Sequence, residues 1–346
     1  MTECIRVLVV DDSAFMRKAL LREISSDPRF EVVGAACDGR EGVQMALDLQ
    51  PDVITLDVEM PVRSGIESLQ DLAGKSSAAV IMVSSATEAG AQITLDALAL
   101  GAFDFVPKTQ CKSLLREKIL AAASARKKRI KGDAKRPAQP ESAEAAAISP
   151  PIAALPKGFV PKAVVIGSST GGPQALAELF THLRHPLPAP VFIAQHMPQP
   201  FTAALARRLK IKSGHAVVEA ADGDPVANGV VYVAPGGLQM RAKDGLLSIR
   251  PDAGESIYQP SVDVLAASVA EAFGGNVLAV MLTGLGRDGA REFTRLRNAG
   301  GWTIAQDALS CTVFGMPKAL IDAGGACEVM PLKSIGPRIA EILSKA

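Results

Sequence analysis

The chain has 346 residues, 48% of them hydrophobic, 21% charged and only 4% aromatic, with a formal net charge of +1. That length holds two ordinary domains built on aliphatic packing, and the neutral balance gives no electrostatic reason to expect nucleic acid or an anionic membrane as partner. Five cysteines without a C-x-x-C pair point to reduced thiols, and no apolar run approaches the roughly 20 residues of a membrane helix, so a cytoplasmic protein without membrane insertion is expected.

Residues 5–130 alternate short apolar runs with amphipathic segments. The runs 6–10, 31–36, 53–56, 79–83 and 103–106 predict strands, and 14–24, 42–49 and 93–100 predict helices. Aliphatic strands separated by helices imply a parallel sheet covered on both faces. This is a doubly wound α/β fold, whose ligands bind at the carboxyl ends of the strands. Asp11 and Asp12 follow the first strand, Asp57 ends the third, Ser84 and Ser85 follow the fourth, and Lys108 follows the fifth. Adjacent acids after a strand commonly do no more than cap the next helix. Carboxylates converging with a hydroxyl and a lysine instead suit Mg²⁺ and an arriving phosphoryl group, because hard cations take oxygen ligands and the lysine offsets phosphate charge.

The stretches VLVVDDS (7–13), DVITLDVEMP (52–61), VIMVSS (80–85) and GAFDFVPK (101–108) resemble the receiver domains of two-component response regulators. The resemblance implies a flavodoxin-like fold with Asp57 as phosphoacceptor. It also implies that Asp11, Asp12, Asp57 and the backbone carbonyl of Glu59 bind Mg²⁺. Ser84 and Lys108 would contact the phosphoryl group, and Phe105 would be the switch aromatic. Thr109 follows Lys108 where such domains commonly carry proline, a departure that leaves the lysine's role intact.

Residues 132–161 hold six prolines, many alanines and one aromatic, Phe159. Such a stretch buries too little apolar surface to fold alone and reads as a Pro/Ala-rich linker. The expected organisation is a first domain over 1–130, a linker over 131–161 and a second domain over 162–346. The basic run 126–131 has no interleaved aromatics, so it reads as a solvated helix end rather than a nucleic-acid contact.

From 162 the alternation resumes. Strands are predicted at 163–166, 191–195, 230–234, 277–282 and 302–305, helices at 174–183, 200–209, 262–272 and 290–299, and a hairpin near 238–249. This is a second doubly wound parallel-sheet domain, with no residue-level repeat of the first. Its first strand runs into Gly167-Ser168-Ser169-Thr170-Gly171, a G-x-S-x-G match centred on Ser169. A strand turning sharply into a helix exposes a serine hydroxyl and aims backbone N–H groups at an oxyanion. The same N–H groups also suit a phosphate, but the G-x-G-x-x-G and G-K-[ST] spacings and a ribose-binding acid are absent.

A serine nucleophile needs a base, and the chain has four histidines, His182, His185, His196 and His215. His182 and His185 flank a helix end, and His215 follows Ser213-Gly214 in a turn. His196 ends the run 191–195, the strand following the one that presents Ser169. For the orienting carboxylate, Asp222, Asp224, Asp288 and Asp307 lie in loops. Asp288 is favoured because Gly284, Gly286 and Gly289 let its loop approach closely. The chain order Ser, His, Asp differs from that of α/β-hydrolases.

IGSSTGGP (166–173), AQHMP (194–198), VYVAPGG (231–237) and MLTGLGRDGA (281–290) resemble the catalytic domain of the chemotaxis protein-glutamate methylesterases, over residues 162–344. The resemblance implies a phosphorylation-activated serine hydrolase that demethylates glutamate methyl esters on the cytoplasmic helical domains of chemoreceptors and deamidates certain receptor glutamines. Ser169, His196 and Asp288 would do this without a cofactor, and a chemotaxis histidine kinase would be the phosphodonor. Leu285 stands where the family often has methionine. Ser168 stands where it often has alanine, which suits a spectator. Two rival readings are a non-catalytic receptor-binding module and a DNA-binding output domain. The neutral charge and the lack of a helix-turn-helix pattern weigh against the second.

Overall fold

The computed structural model describes residues 4–133, 155–183, 186–254 and 256–344. Two compact units divide the chain, Met1–Pro140 and Glu141–Ala346. In the first, strands β1 (Ile5–Val10), β2 (Phe30–Ala36), β3 (Val53–Asp57), β4 (Ala79–Ser84) and β5 (Asp104–Pro107) alternate with helices α1 (Ala14–Ser25), α2 (Gly39–Leu49), α3 (Gly65–Leu72), α4 (Glu88–Ala99) and α5 (Cys111–Asp133). The sheet order is β2-β1-β3-β4-β5 with parallel pairings throughout. β3, β4 and β5 are buried along their whole length, which is why they read as unbroken apolar runs. Ser13, Asp38, Ser64 and Thr87 each accept a backbone N–H in the first turn of the helix they precede, so each of these four helices starts on a side-chain cap. The order reverses direction between β1 and β3, and a crevice opens there between Asp11 and Asp57.

The second unit contains strands β6 (Ala163–Ser168), β7 (Val191–Gln195), β8 (Ala216–Glu219), β9 (Val230–Val233), β10 (Gln239–Lys243), β11 (Leu246–Arg250), β12 (Val277–Met281), β13 (Trp302–Gln306) and β14 (Glu328–Met330). Its helices are α6 (Gly172–Phe180), α7 (Phe201–Ser213), α8 (Val262–Phe273), α9 (Ala290–Asn298), α10 (Met316–Asp322) and α11 (Leu332–Leu343). Seven strands form a parallel sheet in the order β14-β13-β12-β6-β7-β9-β8. β10 and β11 form an antiparallel hairpin outside it, turning at Asp244-Gly245, where both φ angles are positive. The hairpin and α8 complete a core with Val165, Phe192, Tyr232, Leu265, Ala279 and Phe293. β6 is the switch point of this sheet, with β7 on one side and β12 on the other, so the ends of these three strands share one crevice.

Several expectations need correction. The predicted boundary at 130/131 falls inside α5, which continues to Asp133. At the other end of the predicted linker, Phe159 is buried, with its ring centroid 6.5 Å from that of Trp302. Residues 134–154 lie outside the described residues. The basic run is not uniformly solvated, because the Arg126 guanidinium donates to Asp52 Oδ1 at 2.5 Å and to Ser77 Oγ at 2.9 Å, while Lys127 and Lys128 are exposed. Among the described residues no helix is long and apolar enough to cross a membrane.

Candidate active site

β6 ends at Ser168, and Gly171, with φ +79°, turns the chain into α6. A side chain at Gly172 would collide with Gln195 Oε1 and lie 2.9 Å from Ser168 Cβ, so glycine is required for this close approach. The Ser169 N–H donates to the Thr283 carbonyl beyond β12, and the His196 N–H donates to the Ser168 carbonyl, each at 3.0 Å. These bonds continue the sheet ladder past the strand ends and bring three segments together. A methyl group at Gly284 would sit 2.8 Å from Ser169 Cβ, which shows how near the β12–α9 loop passes to the serine.

The two serines of the turn differ in surroundings. Ser168 is fully buried and donates to Gln195 Oε1 at 2.7 Å, while Gln195 Nε2 returns a bond to the Ser169 carbonyl at 2.9 Å. Ser168 is therefore no spectator to the fold, because it positions the amide that carries its neighbour. Ser169 is half-buried, and among the described residues its hydroxyl meets no hydrogen-bonded side chain. The structure brings His196 and Asp288 into direct contact and Ser169 to the same strand edge, without a bond between Ser169 and His196.

His196 Nε2 lies 2.8 Å from Asp288 Oδ2. Asp288 also accepts from Ser261 Oγ at 2.9 Å and from the backbone N–H groups of Val262 at 2.6 Å and Asp263 at 3.1 Å, the first turn of α8. Burial alone would raise this carboxyl. The bond and charge of His196 and the amides of Val262 and Asp263 outweigh it and hold Asp288 below the usual carboxylate range. An ionised carboxylate only accepts, so neutral His196 carries its proton on Nε2 and its lone pair on Nδ1. Asp222, Asp224 and Asp307, the other loop candidates, are occupied by the Ile249, Ala221 and Ser310 amides respectively. His182 is exposed after α6, His215 is buried beside Phe180 with ring centroids 5.8 Å apart, and His185 lies outside the described residues.

At the switch point of the first unit, Asp11, Asp12 and Asp57 bring carboxylate oxygens within 4.8 Å of one another. Lys108 Nζ is 2.7 Å from Asp57 Oδ2 and 3.7 Å from Asp11 Oδ2. Burial, reinforced by the Asp57 charge and only partly offset by Lys108, pushes Asp11 up to about 6. Burial likewise raises Asp57 despite its Lys108 bond. Asp11 Oδ2 is buried with no hydrogen-bond donor, the situation of an oxygen waiting for a cation. Arg17 Nη1 donates to the carbonyls of Asp11 at 2.7 Å and Asp12 at 2.9 Å and so holds this loop. The Glu59 N–H donates to Asp57 Oδ1 at 3.3 Å. Phe105 is buried under Lys118. Ser84, at the end of β4, is fully buried; its hydroxyl donates to the Ser85 carbonyl at 3.2 Å and the Gly90 carbonyl at 3.3 Å and accepts from Thr94 at 2.8 Å. The neighbouring Ser85 hydroxyl donates to Glu59 Oε2 at 3.2 Å.

Gln195, Ser261, Arg17 and Tyr258, whose ring stacks on His196, were not legible as site residues. Ser261 alone had a sequence signal, as the cap residue before the helical run at 262.

Two family models match the chain, a response regulator receiver domain over residues 7–120 and CheB methylesterase over 164–339. A protein-glutamate methylesterase/protein-glutamine glutaminase of Symbiobacterium thermophilum is 43% identical, covering 99% of this chain and 98% of that protein. A protein of the same name from Thermotoga maritima is 41% identical and covers 98% of both. Among solved structures, the catalytic domain of Thermotoga maritima CheB methylesterase is 41% identical, covering 53% of this chain and 98% of its own, with a TM-score of 0.49. The response regulator domain of Thermotoga maritima CheB is 50% identical over 35% of this chain and 98% of its own, with a TM-score of 0.34.

Proposed function

The chain belongs to the CheB methylesterase family, and from that membership we propose a division of labour between its two halves in which named residues carry each step. The protein is a phosphorylation-regulated protein-glutamate methylesterase and protein-glutamine glutaminase with a receiver domain ahead of its catalytic domain. Its substrates are methylated glutamates and certain glutamines on the cytoplasmic helices of chemoreceptors, its phosphodonor is a chemotaxis histidine kinase, and it works in the cytoplasm.

Ser169 is the nucleophile. Its Oγ bonds to the side-chain carbonyl carbon of the substrate while His196 Nδ1 takes the hydroxyl proton. The resulting oxyanion collapses, the ester C–O or amide C–N bond breaks, and His196 returns the proton to the departing methanol or ammonia. Water, deprotonated by His196, then cleaves the acyl-enzyme to free the glutamate and Ser169. Asp288 keeps the imidazole in the Nε2–H tautomer and stabilises the imidazolium that forms twice per turnover. The observation that carries this reading is the 2.8 Å His196–Asp288 pair on the strand edge where Ser169 stands half-exposed.

In the receiver, Asp57 is the phosphoacceptor. Asp11, Asp12 and Asp57 fit Mg²⁺, given their clustered oxygens and the orphaned Asp11 Oδ2, and the Glu59 carbonyl would add a further ligand. Bound there, Mg²⁺ supplies charge neutralisation for the transferring phosphoryl group. Lys108, already on Asp57, offsets the remaining negative charge, and the Ser84 hydroxyl at the end of β4 contacts the phosphoryl group. The esterase step uses no cofactor. Comparing methanol release from methylated receptor membranes between wild type and Ser169→Ala tests the assignment. Loss of release is expected, and wild-type release would leave the non-catalytic binding module as the better reading.

A further inference from the structure

The Asp288 bond restrains His196 incompletely. Nε2 and Nδ1 both lie off the Cβ–Cγ axis about which an imidazole turns, Nε2 by less, so the Asp288 bond holds the ring at one edge and leaves its faces to other contacts. Nδ1 sits farther from that axis and swings with the plane. A face-on contact adds to that edge bond: the ring of Tyr258 lies parallel to that of His196, with centroids 4.4 Å apart and planes within 6°. A face-on neighbour at that separation blocks rotation by contact and presents π density to the imidazolium.

Tyr258 is itself held on several sides. Gln239, fully buried on β10, donates to the Tyr258 carbonyl at 2.8 Å and accepts the Ser261 N–H at 2.9 Å. The Gly237 N–H donates to the Gln259 carbonyl at 3.1 Å, pinning the next residue. A methyl group at Gly286 would stand 2.6 Å from the Tyr258 hydroxyl, so the tip of the ring abuts the loop that carries Asp288. One buried glutamine thereby anchors both the aromatic ring beneath His196 and the serine that donates to Asp288.

We propose that Tyr258, held by Gln239, is a positioning residue for ester hydrolysis: its ring fixes the plane of His196 so that Nδ1 faces the serine side of the site. The proposal rests on the assignment of His196 as the base. It predicts that an aromatic ring, not the hydroxyl and not bulk alone, is what position 258 requires.

The test uses the full chain, with kcat and KM for methanol release from methylated receptor membranes measured under a saturating small-molecule phosphodonor. Tyr258→Phe, Tyr258→Leu, Tyr258→Ala and His196→Gln are compared well below each variant's thermal midpoint. Phe is expected to stay near wild type. Leu and Ala are expected to lose roughly three- to tenfold in kcat with KM unchanged, the size of an aromatic pairing contribution. Leu matching Phe would show that packing suffices, and Phe falling with Ala would show a role for the hydroxyl; either overturns the proposal. A Tyr258 series at wild-type rates beside an inactive His196→Gln sinks this inference alone. An active His196→Gln sinks the base assignment beneath it.

Discussion

Ser168 and Ser169 are neighbours with opposite surroundings, and substitution should separate them. Ser169→Ala is expected to abolish turnover without lowering the thermal midpoint, because among the described residues its hydroxyl makes no side-chain hydrogen bond. Ser168→Ala is expected to keep turnover but to cost about 1–3 kcal/mol of stability, because Gln195 Oε1 loses its buried donor. Denaturant unfolding beside a turnover assay checks both, and the reverse pattern would exchange their roles. Asp288→Asn should be worse for catalysis than its size suggests. The Asn amide donates to His196 Nε2, forcing the proton onto Nδ1, and a reversed tautomer lowers kcat on the order of 10⁴-fold. The same substitution bears on acid stability. The folded-state value of Asp288 is depressed, so its contribution is present above the usual carboxylate range and fades as pH falls below it. Thermal midpoints of wild type and Asp288→Asn should therefore converge on acidification.

At the level of elements, the crevice depends on the turn from β6 into α6 and on the start of α8. Gly172→Ala should destabilise by about 1–3 kcal/mol, because its methyl would strike Gln195, which is buried and bonded at both ends of its amide. Denaturant unfolding measures this, and an unchanged midpoint would mean that the turn relaxes freely. These strands were readable because β6, β7 and β12 are buried on both faces and carry unbroken aliphatic runs. β8 and β14 were not, since four and three residues at sheet edges leave too short a period to detect. α11 contains Pro337, which reads as a breaker, and α3 passed unnoticed although Ser64 and Glu67 form a capping box before it. Ser169, His196 and Asp288 stood out because each sits at a strand end in a glycine-rich or polar break. Tyr258 and Gln239 act through a ring plane and an amide that cross between loop and hairpin, a relation that no spacing along the chain encodes.

At the level of the whole molecule, the receiver regulates the esterase, and two outcomes are expected. Chelating divalent cations should prevent phosphorylation of Asp57 by a small phosphodonor while leaving the unstimulated esterase rate unchanged. Phosphorylation that persists under chelation would remove the metal from the scheme. Deleting residues 1–150 tests whether the unphosphorylated receiver restrains the esterase, and basal methanol release should rise. An unchanged or lower rate in a folded fragment would reject that restraint.

Asp288 bonds to His196 and, through the Val262 and Asp263 amides, also seals the start of α8. Its carboxylate would be retained by folding alone, even where hydrolysis no longer matters. Decay of the enzyme in a descendant lineage should therefore erase Ser169 first and leave the aspartate standing. Persistence of that acid in a divergent copy testifies to an intact fold, and only the serine testifies to a working esterase.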